Sequence, residues 1–182
     1  MNKFFLSKVL LVIVLPLLIF SIWNCEKDDI CDPATPTTPR LIVGFYDVNE
    51  PDTPISVTNL AVFAENVPDA DTIRFDGVTE IELPLDITSD QVRYKMILNE
   101  NSTNPLLIYS DILVFNYART TTYVSRACGY KNTFTLNNDI GLPSPFILND
   151  NEPLTPGAWI KNITVENYNI DNETDQHVKI FF

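Results

Sequence analysis

Few side chains in this sequence could carry acid–base chemistry, and those that could lie far apart. The chain of 182 residues has one histidine, His177, and three cysteines. A catalytic base or a zinc ligand needs partners, and no cluster of His and Cys residues surrounds His177. Cys128 could act as a nucleophile with His177 only if no disulfide holds it. We therefore expect no catalytic residues, no enzymatic activity and no cofactor.

Acidic loops supply the candidate metal ligands. Asp171, Glu173 and Asp175 alternate in one loop, and similar carboxylate pairs occur in residues 68–71 and 149–152. Oxygen ligands spaced by two residues can hold Ca²⁺. None of these loops has the twelve-residue EF-hand pattern, and an acidic chain often has solvated acidic loops. We expect no resident metal, and calcium at residues 171–175 is the alternative.

Sugar binding would need exposed aromatic rings. Trp23 lies in the apolar N-terminal stretch, which leaves Trp159, after Pro156 and Gly157, as the tryptophan of the remaining chain. Aromatic residues in alternating patterns more often pack in a core than bind a ligand. Trp159 is therefore a candidate glycan ligand, and glycan binding is an alternative to a role in protein interaction.

The N-terminal stretch has the pattern of a secretory signal. Lys3 and Lys8 precede an unbroken apolar run from Val9 to Phe20. Even extended to Trp23, the run would form about 23 Å of helix. The hydrocarbon core of a bilayer is about 30 Å thick and needs roughly 20 residues of helix. Pro16 also interrupts it. Residues 1–24 are therefore predicted to be a signal peptide rather than a permanent span.

Cys25 lies shortly after the apolar run, at the end of the segment Ser21–Cys25. This segment resembles the lipobox of bacterial lipoproteins, although Ile22 and Asn24 stand where Leu and a small residue are usual. The resemblance implies that Cys25 is diacylated and becomes the first residue of the mature chain. Two acyl chains are enough for stable anchoring. A signal cut elsewhere or an uncleaved anchor is the alternative.

The segment Glu26–Asp29 is acidic apart from Lys27, and it resembles the export signal of Bacteroidota surface lipoproteins. The resemblance implies a lipid-anchored protein of the outer membrane, facing the periplasm or the cell surface. The formal net charge of the whole chain is −12 at pH 7. A charge of this sign repels nucleic acid, so we expect no nucleic-acid partner.

Cys31 and Cys128 remain once Cys25 is lipidated. An exported protein meets an oxidising compartment, where such a pair is expected to form a disulfide. A bond closing about 100 residues would restrict the unfolded chain by roughly 4–5 kcal/mol. It would also fix the tether to the domain close to the anchor. Two free thiols are the alternative.

The rest of the chain reads as a tether followed by one β domain. Residues 25–39 are acidic and then rich in Pro and Thr, which favours an extended spacer. From residue 40 to 182, apolar residues alternate with polar ones in short runs, with turns every 8–14 residues. We predict eight or nine strands and no helix, in an antiparallel β-sandwich of the immunoglobulin-like or Greek-key kind. A small barrel is the alternative.

Several runs also predict a position in the sandwich. Pro84 interrupts the alternation of residues 79–85 and indicates an edge strand, whereas residues 106–117 are apolar on both faces and should be central. Gly129 indicates a corner or bulge. Residues 137–157 are predicted to form a long connection, and His177–Phe182 a strand with His177 facing water.

Four motifs together carry a resemblance. They are CEKDDIC at residues 25–31, TPTTPRLIVGFYD at 35–47, YVSRACGYKNTF at 123–134 and HVKIFF at 177–182. As a set they resemble a family of Bacteroidota envelope lipoproteins with no assigned activity. The resemblance implies the fold and the location, and no chemistry. The expected function is a non-catalytic structural or protein-interaction role, with a glycan- or calcium-binding module as the alternative.

Overall fold

The computed structural model describes residues 30–65, 67, 71–149 and 157–182. The chain divides into two units by its contacts. The described part of the smaller unit comprises residues 30–35 and Val124–Gly129, and the larger unit comprises Pro36–Tyr123 and Tyr130–Phe182. The predicted signal peptide and Cys25 lie outside the described residues. Among those residues, no helix is long and apolar enough to cross a membrane.

Strands make up the regular structure, as the alternation predicts. The described residues contain one 3₁₀ turn, Pro105–Leu107, and eleven strands. The strands are β1 (Leu41–Tyr46), β2 (Leu60–Ala64), β3 (Ile73–Phe75), β4 (Glu80–Leu83), β5 (Gln91–Leu98), β6 (Tyr109–Ser125), β7 (Gly129–Leu136), β8 (Phe146–Leu148), β9 (Asn162–Val165), β10 (Asn169–Ile170) and β11 (Val178–Phe181).

The strands form two sheets packed around a shared core, which confirms the predicted β-sandwich. One sheet has the order β4-β1-β11-β9, and the other has the order β10-β7-β6-β5-β2-β3, with β8 paired to β6. β1 and β11 run parallel, with Val43 opposite Val178. This pair departs from the wholly antiparallel arrangement that the sequence predicted.

The side-chain pattern of β4 shows why the sequence folds this way. Ile81 and Leu83 are buried, whereas Glu80 and Glu82 between them are exposed. Alternate residues of a strand face opposite sides of a sheet, so an apolar face meets the core and an acidic face meets water. Each fully buried aliphatic side chain of this kind contributes about 1.5–3 kcal/mol. β4 is an edge strand, as the following Pro84 predicted.

β6 is central, as predicted, but it begins later than the apolar run. Asn104 Oδ1 accepts a hydrogen bond from Leu106 N–H, and the proline at position 105 suits the first turn of a helix. The local capping therefore forms a 3₁₀ turn where the sequence predicted strand. The predicted connection at residues 137–157 also contains β8, a short strand paired with β6.

A buried carboxylate fixes the segment that enters β9. Asp111 on β6 is fully buried, and its Oδ2 accepts hydrogen bonds from the backbone N–H groups of Trp159 and Ile160, at 2.7 and 2.9 Å. Its Oδ1 accepts a bond from the Asn149 side chain at 2.5 Å. A buried polar group is tolerated when hydrogen bonds satisfy it, and through these bonds Asp111 holds three parts of the chain together.

The disulfide predicted between Cys31 and Cys128 is present in the smaller unit. The two Cα atoms are 4.8 Å apart, and the bond joins residues separated by 97 positions. In the larger unit, the end of the predicted tether is attached to β7, because Thr38 Oγ1 accepts a hydrogen bond from Asn132 N–H at 2.9 Å. Pro39 is buried.

Candidate functional site

Among the described residues, none pairs with the outer edges of β3 and β4, and the sandwich is open along this side. β4 ends the four-stranded sheet, and β3 ends the other sheet. Two cavities adjoin along this side, and Ile73 and Pro84 line both of them. The two cavities joined through these residues are called the edge groove below.

The first cavity of the edge groove has a volume of about 410 Å³ and an apolar floor. Val62 from β2 and Val92 and Tyr94 from β5 form this floor, and each is at most 2% exposed. Strand alternation points these side chains inward. The volume falls within the range of small-molecule and side-chain binding sites. The cavity can therefore receive an apolar group of considerable size.

Carboxylates lie at the rim of this cavity. Asp71 and Asp86 both line it. Burial opposes ionisation of Asp86, but hydrogen bonds from the Thr88 hydroxyl and backbone N–H, both at 2.7 Å, outweigh it and hold the pKa of Asp86 below its usual value. Asp86 is therefore ionised at neutral pH, and an apolar floor is combined with an acidic rim.

Two buried tyrosines hold the wall that carries Asp86. The Tyr94 hydroxyl donates to the Pro84 carbonyl, and the Tyr117 hydroxyl donates to the Asp86 carbonyl at 3.0 Å. Burial raises the pKa of both tyrosines, so both remain neutral donors. These two hydrogen bonds fix the backbone of Pro84 and Asp86, and the groove is therefore preorganised on this side.

The second cavity has a volume of about 440 Å³ and lies between the two edge strands. Ile73 and Phe75 from β3 face Ile81 from β4 across it. Glu80, Glu82 and Arg40 supply its polar side. The Arg40 guanidinium contacts Glu82 at 2.7 Å and Glu173 at 2.8 Å, so this side is acidic with one neutralising cation.

The backbone of β4 presents hydrogen-bonding groups at the open edge. β4 pairs with β1 in antiparallel register, with Gly44 opposite Glu80. At the next position, Phe45 N–H donates to the Thr79 carbonyl, which makes that pair hydrogen-bonded. Hydrogen-bonded and non-hydrogen-bonded pairs alternate in an antiparallel ladder. The backbone N–H and C=O groups of Glu80 and Glu82 therefore point away from β1.

β3 offers a shorter edge. In the neighbouring ladder of β2 and β5, Glu65 N–H donates to the Arg93 carbonyl. The same alternation then directs the backbone groups of Ile73 and Phe75 toward β2. Only Arg74 of β3 has outward backbone groups. β4 is thus the more complete edge for pairing with another strand.

Trp159 does not provide the exposed platform that the sequence suggested. It is 5% exposed, and its ring lies 6.2 Å from Phe45 and 5.3 Å from Phe182, between ring centroids. Its indole N–H donates to the Met96 carbonyl at 3.4 Å. The expectation that Trp159 is a glycan ligand is therefore corrected. Its ring packs in the core, where a buried aromatic side chain contributes to the stability of the fold.

His177 does not face water, which corrects a second expectation. It is fully buried and precedes β11, so the strand alternation does not extend to it. Its Nδ1 accepts a hydrogen bond from Ile42 N–H at 3.0 Å, and among the described residues its Nε2 has no hydrogen-bond partner. Burial lowers the pKa of His177, although Asp175, Asp171 and Glu80 act in the opposite direction. The ring is therefore neutral at pH 7 and caps the β1 backbone.

The three calcium candidates make other contacts. Glu173 accepts hydrogen bonds from Arg40, which lower its pKa. The Asn172 side-chain amide donates to Asp171 at 2.8 Å and to Asp175 at 3.1 Å. Within the described ranges, no group of three or more His, Cys, Asp and Glu side chains is arranged to hold a metal ion.

Two features were missed by reasoning from the sequence. One is the pair Tyr123 and Tyr130 on β6 and β7, whose rings meet at 5.3 Å and are 57% and 69% exposed. The other is the edge groove, which depends on β3 and β4 ending two different sheets on the same side. The signal for β4 was present in the acidic alternation before Pro84, but nothing local identified the strand opposite.

Comparison with known proteins places the chain in a family. A model of the Family of unknown function (DUF6452) matches residues 59–182. This range contains β2 to β11, and therefore both edge strands of the groove. No curated protein and no solved structure matches the chain. The expectation of a family without an assigned activity is confirmed: the chain belongs to the Family of unknown function (DUF6452).

Proposed function

We propose that this chain is an outer-membrane lipoprotein of the Bacteroidota, anchored through a diacylated Cys25, and that its sandwich is a non-catalytic module that binds another envelope protein. The edge groove is the observation that carries the binding role. It combines an apolar floor, carboxylates at the rim and an open strand edge. These are the elements of a recognition surface.

The anchor is supported by the sequence and by the cysteine pair. Cys25 follows the apolar run of a secretory signal. The bond between Cys31 and Cys128 supports export, because disulfides persist mainly in oxidising compartments.

The chemistry of the groove favours binding over catalysis. Its described lining contains carboxylates, an arginine and a buried tyrosine, and no histidine or cysteine. The arginine is paired with Glu82 and Glu173, and the tyrosine hydroxyl is bonded to the Pro84 carbonyl. A nucleophile with an adjacent base, which group-transfer chemistry needs, is not among these residues.

A second candidate function is glycan binding at the exposed rings of Tyr123 and Tyr130. Exposed aromatic faces are the usual contacts for sugars, and these two rings are more than half exposed. The pair takes the role that the sequence assigned to Trp159. Binding of a cell-wall or surface glycan that is lost in a Tyr123→Ala/Tyr130→Ala double variant would favour this function over the first.

The anchor is tested by replacing the lipidated residue. In a Bacteroidota host, Cys25→Ser is expected to move the protein from the outer-membrane fraction to the soluble fraction and to abolish labelling by a radioactive fatty acid. Cys128→Ser serves as the matched control, since it should keep both the label and the membrane location. A Cys25→Ser protein that keeps residues 1–24 and stays in the membrane would contradict the anchor. Protease treatment of intact cells then reports the face.

The binding role is tested by cross-linking from the groove. Ile87 lines the first cavity and is 54% exposed, so a photo-reactive amino acid at this position should form a discrete adduct with one envelope protein in intact cells. Ile140 is fully exposed and lies outside the groove, so the same replacement there is the matched control. Equal adducts from both positions, or none from Ile87, would contradict a partner at the groove.

A further inference from the structure

We propose that the open edge of β4 binds an extended peptide segment as an added strand, and that this segment alternates apolar residues with basic ones. This inference rests on the proposed function and deepens it, because it names how the partner binds and what its binding segment looks like. It is carried by three properties of β4: its outward backbone groups, the apolar cavity beside it and its two exposed glutamates.

The outer edge of β4 carries backbone groups that are free to pair. The N–H and C=O groups of Glu80 and Glu82 point away from β1, as the register of the β1–β4 ladder requires. In the described part of the chain, no backbone hydrogen bond reaches these groups from the open side. An extended peptide can satisfy both residues at once by pairing with the edge, which is the usual geometry of strand addition.

The cavity beside β4 determines one face of the added strand. Ile73 and Phe75 on β3 and Ile81 on β4 line the space next to the edge. Alternate side chains of a bound strand would point into this space. Apolar side chains at those positions remove apolar area from water, which favours binding. Every second residue of the partner segment is therefore apolar.

The glutamates determine the other face. Glu80 and Glu82 are both exposed and lie on the same face of β4, two residues apart. Cross-strand neighbours with opposite charges stabilise a pair of strands, and like charges destabilise it. Of these two glutamates, Glu82 contacts Arg40, a cation that it shares with Glu173, and Glu80 accepts a hydrogen bond from the neutral Gln176 amide. The alternate residues of the partner segment are therefore Lys or Arg.

The same charges argue against a second copy of this chain as the occupant. Pairing β4 with β4 of another molecule would bring two acidic rows together, since each edge carries Glu80 and Glu82. Charged residues on an edge strand are a common protection against self-association. Because Pro84 cannot donate to a ladder, pairing ends there, and the bound segment matches the four residues of β4.

The test uses the mature protein with its disulfide intact and synthetic peptides as probes. The first peptide is an acetylated and amidated octapeptide of alternating valine and lysine. The second replaces lysine by glutamate, and the third carries N-methyl groups on the amides that would face β4. Isothermal titration measures affinity, and hydrogen exchange measures protection of the Glu80 and Glu82 amides.

The expected result is binding of the valine–lysine peptide with increased protection at Glu80 and Glu82. Affinity should fall at least tenfold for the valine–glutamate and N-methylated peptides. Glu82→Pro removes the outward N–H group without touching the β1 ladder, so it should lower affinity equally. Glu82→Lys should weaken binding through charge, whereas Glu50→Lys, an exposed loop residue outside the groove, is the charge-matched control.

Several outcomes would overturn the proposal. These are equal binding of the three peptides, no binding by the valine–lysine peptide, or undiminished binding by folded Glu82→Pro. If Glu82→Pro does not fold, the N-methylated peptide on the unmodified protein still decides. A dimer that forms without peptide and is lost in Glu82→Lys would assign the edge to a second copy. If strand addition fails while Ile87 still cross-links to an envelope protein, only this inference is lost and the proposed function stands.

Discussion

At the scale of single residues, His177 is a titratable side chain enclosed in the interior of the protein. Its side chain is fully buried, and its Nδ1 is occupied by the hydrogen bond from Ile42 N–H. Protonation of that nitrogen would break this bond and place a charge in the interior. Burial accordingly lowers the pKa of His177, and the acidic residues nearby only reduce the effect.

The folded protein should therefore lose stability as pH falls through the histidine range. Because the folded pKa of His177 lies below the unfolded value of about 6.5, the unfolded chain binds the proton more readily. The contribution to stability is complete above about pH 6.5 and is lost below it, by at most about 1.4 kcal/mol per pH unit. Urea unfolding at steps from pH 7.5 to 5.0 measures this loss.

His177→Asn is the matched variant for this experiment, because its amide oxygen can still accept a bond from Ile42 N–H but the side chain does not titrate. We expect it to be about 1–3 kcal/mol less stable than the wild type at pH 7.5. The difference between the two proteins should shrink toward pH 5. Parallel curves over this range would show that His177 does not titrate differently on folding.

At the scale of elements, the turn between β6 and β7 shows what backbone conformation requires. Gly129 has a φ of +70°, in the left-handed region that residues with a Cβ atom avoid. A Cβ atom added at this position would meet no other atom within 4 Å. The constraint on residue 129 is therefore conformational and not steric, which makes it a clean test of the turn.

Gly129→Ala should destabilise the protein by about 1 kcal/mol, because alanine is strained at this φ. Gly129→Asn should cost less, since the non-glycine residues found at positive φ in the described chain are Asn59, Asn99 and Asn149. Thermal unfolding measures both costs: Gly129→Ala should melt about 2–4 °C below the wild type for a domain of this size, and Gly129→Asn should melt between the two. Equal melting temperatures for alanine and asparagine would mean that the turn relaxes to another conformation.

Individual strands with clear alternation could be predicted from the sequence, and less regular segments could not. β4 and β5 follow the apolar pattern of their residues, because one face of each meets the core. The first residues of the apolar run before β6 instead form a 3₁₀ turn, because Asn104 and the following proline provide a local cap. β8 has no alternation at all and exists because β6 offers it a partner.

At the scale of the whole molecule, the bond between Cys31 and Cys128 is the one covalent constraint found among the described residues. It closes a sequence separation of 97 residues. In the chain-entropy description, such a bond restricts the unfolded ensemble by about 4–5 kcal/mol, with less gained where strain offsets it. The pairing could be predicted before the fold was known only on the premise that Cys25 is lipidated, which leaves Cys31 and Cys128 as the one combination.

Removing this bond should lower the free energy of unfolding by about 2–4 kcal/mol without changing the β-sheet content. The double variant Cys31→Ser/Cys128→Ser isolates the effect from chemical reduction. Urea unfolding measures the stability, and far-UV circular dichroism checks the fold. A double variant as stable as the wild type would show that the bond does not constrain the unfolded chain. Reduction of the wild type should reproduce the variant's midpoint.

The arrangement of the sheets could not be predicted from the sequence. Nothing in the local pattern of β1 indicates that β11 lies beside it in parallel, because strand pairing depends on contacts between distant residues. The edge groove follows from the same long-range order, which puts β3 and β4 on one side of the sandwich. Residue types therefore indicate what the site is made of, and topology decides where it is.

The position of β11 has a consequence for the way the protein is made. β11 lies inside the four-stranded sheet, between β1 and β9, and the bond from Ile42 N–H to His177 spans 135 residues. β1 leaves the ribosome long before its inner partner, which lies about 135 positions later in the chain. Contacts this distant in sequence also form slowly. A nascent chain of this protein thus stays without its native four-stranded sheet until translation has passed β11, whereas every strand of the other sheet has been made by then.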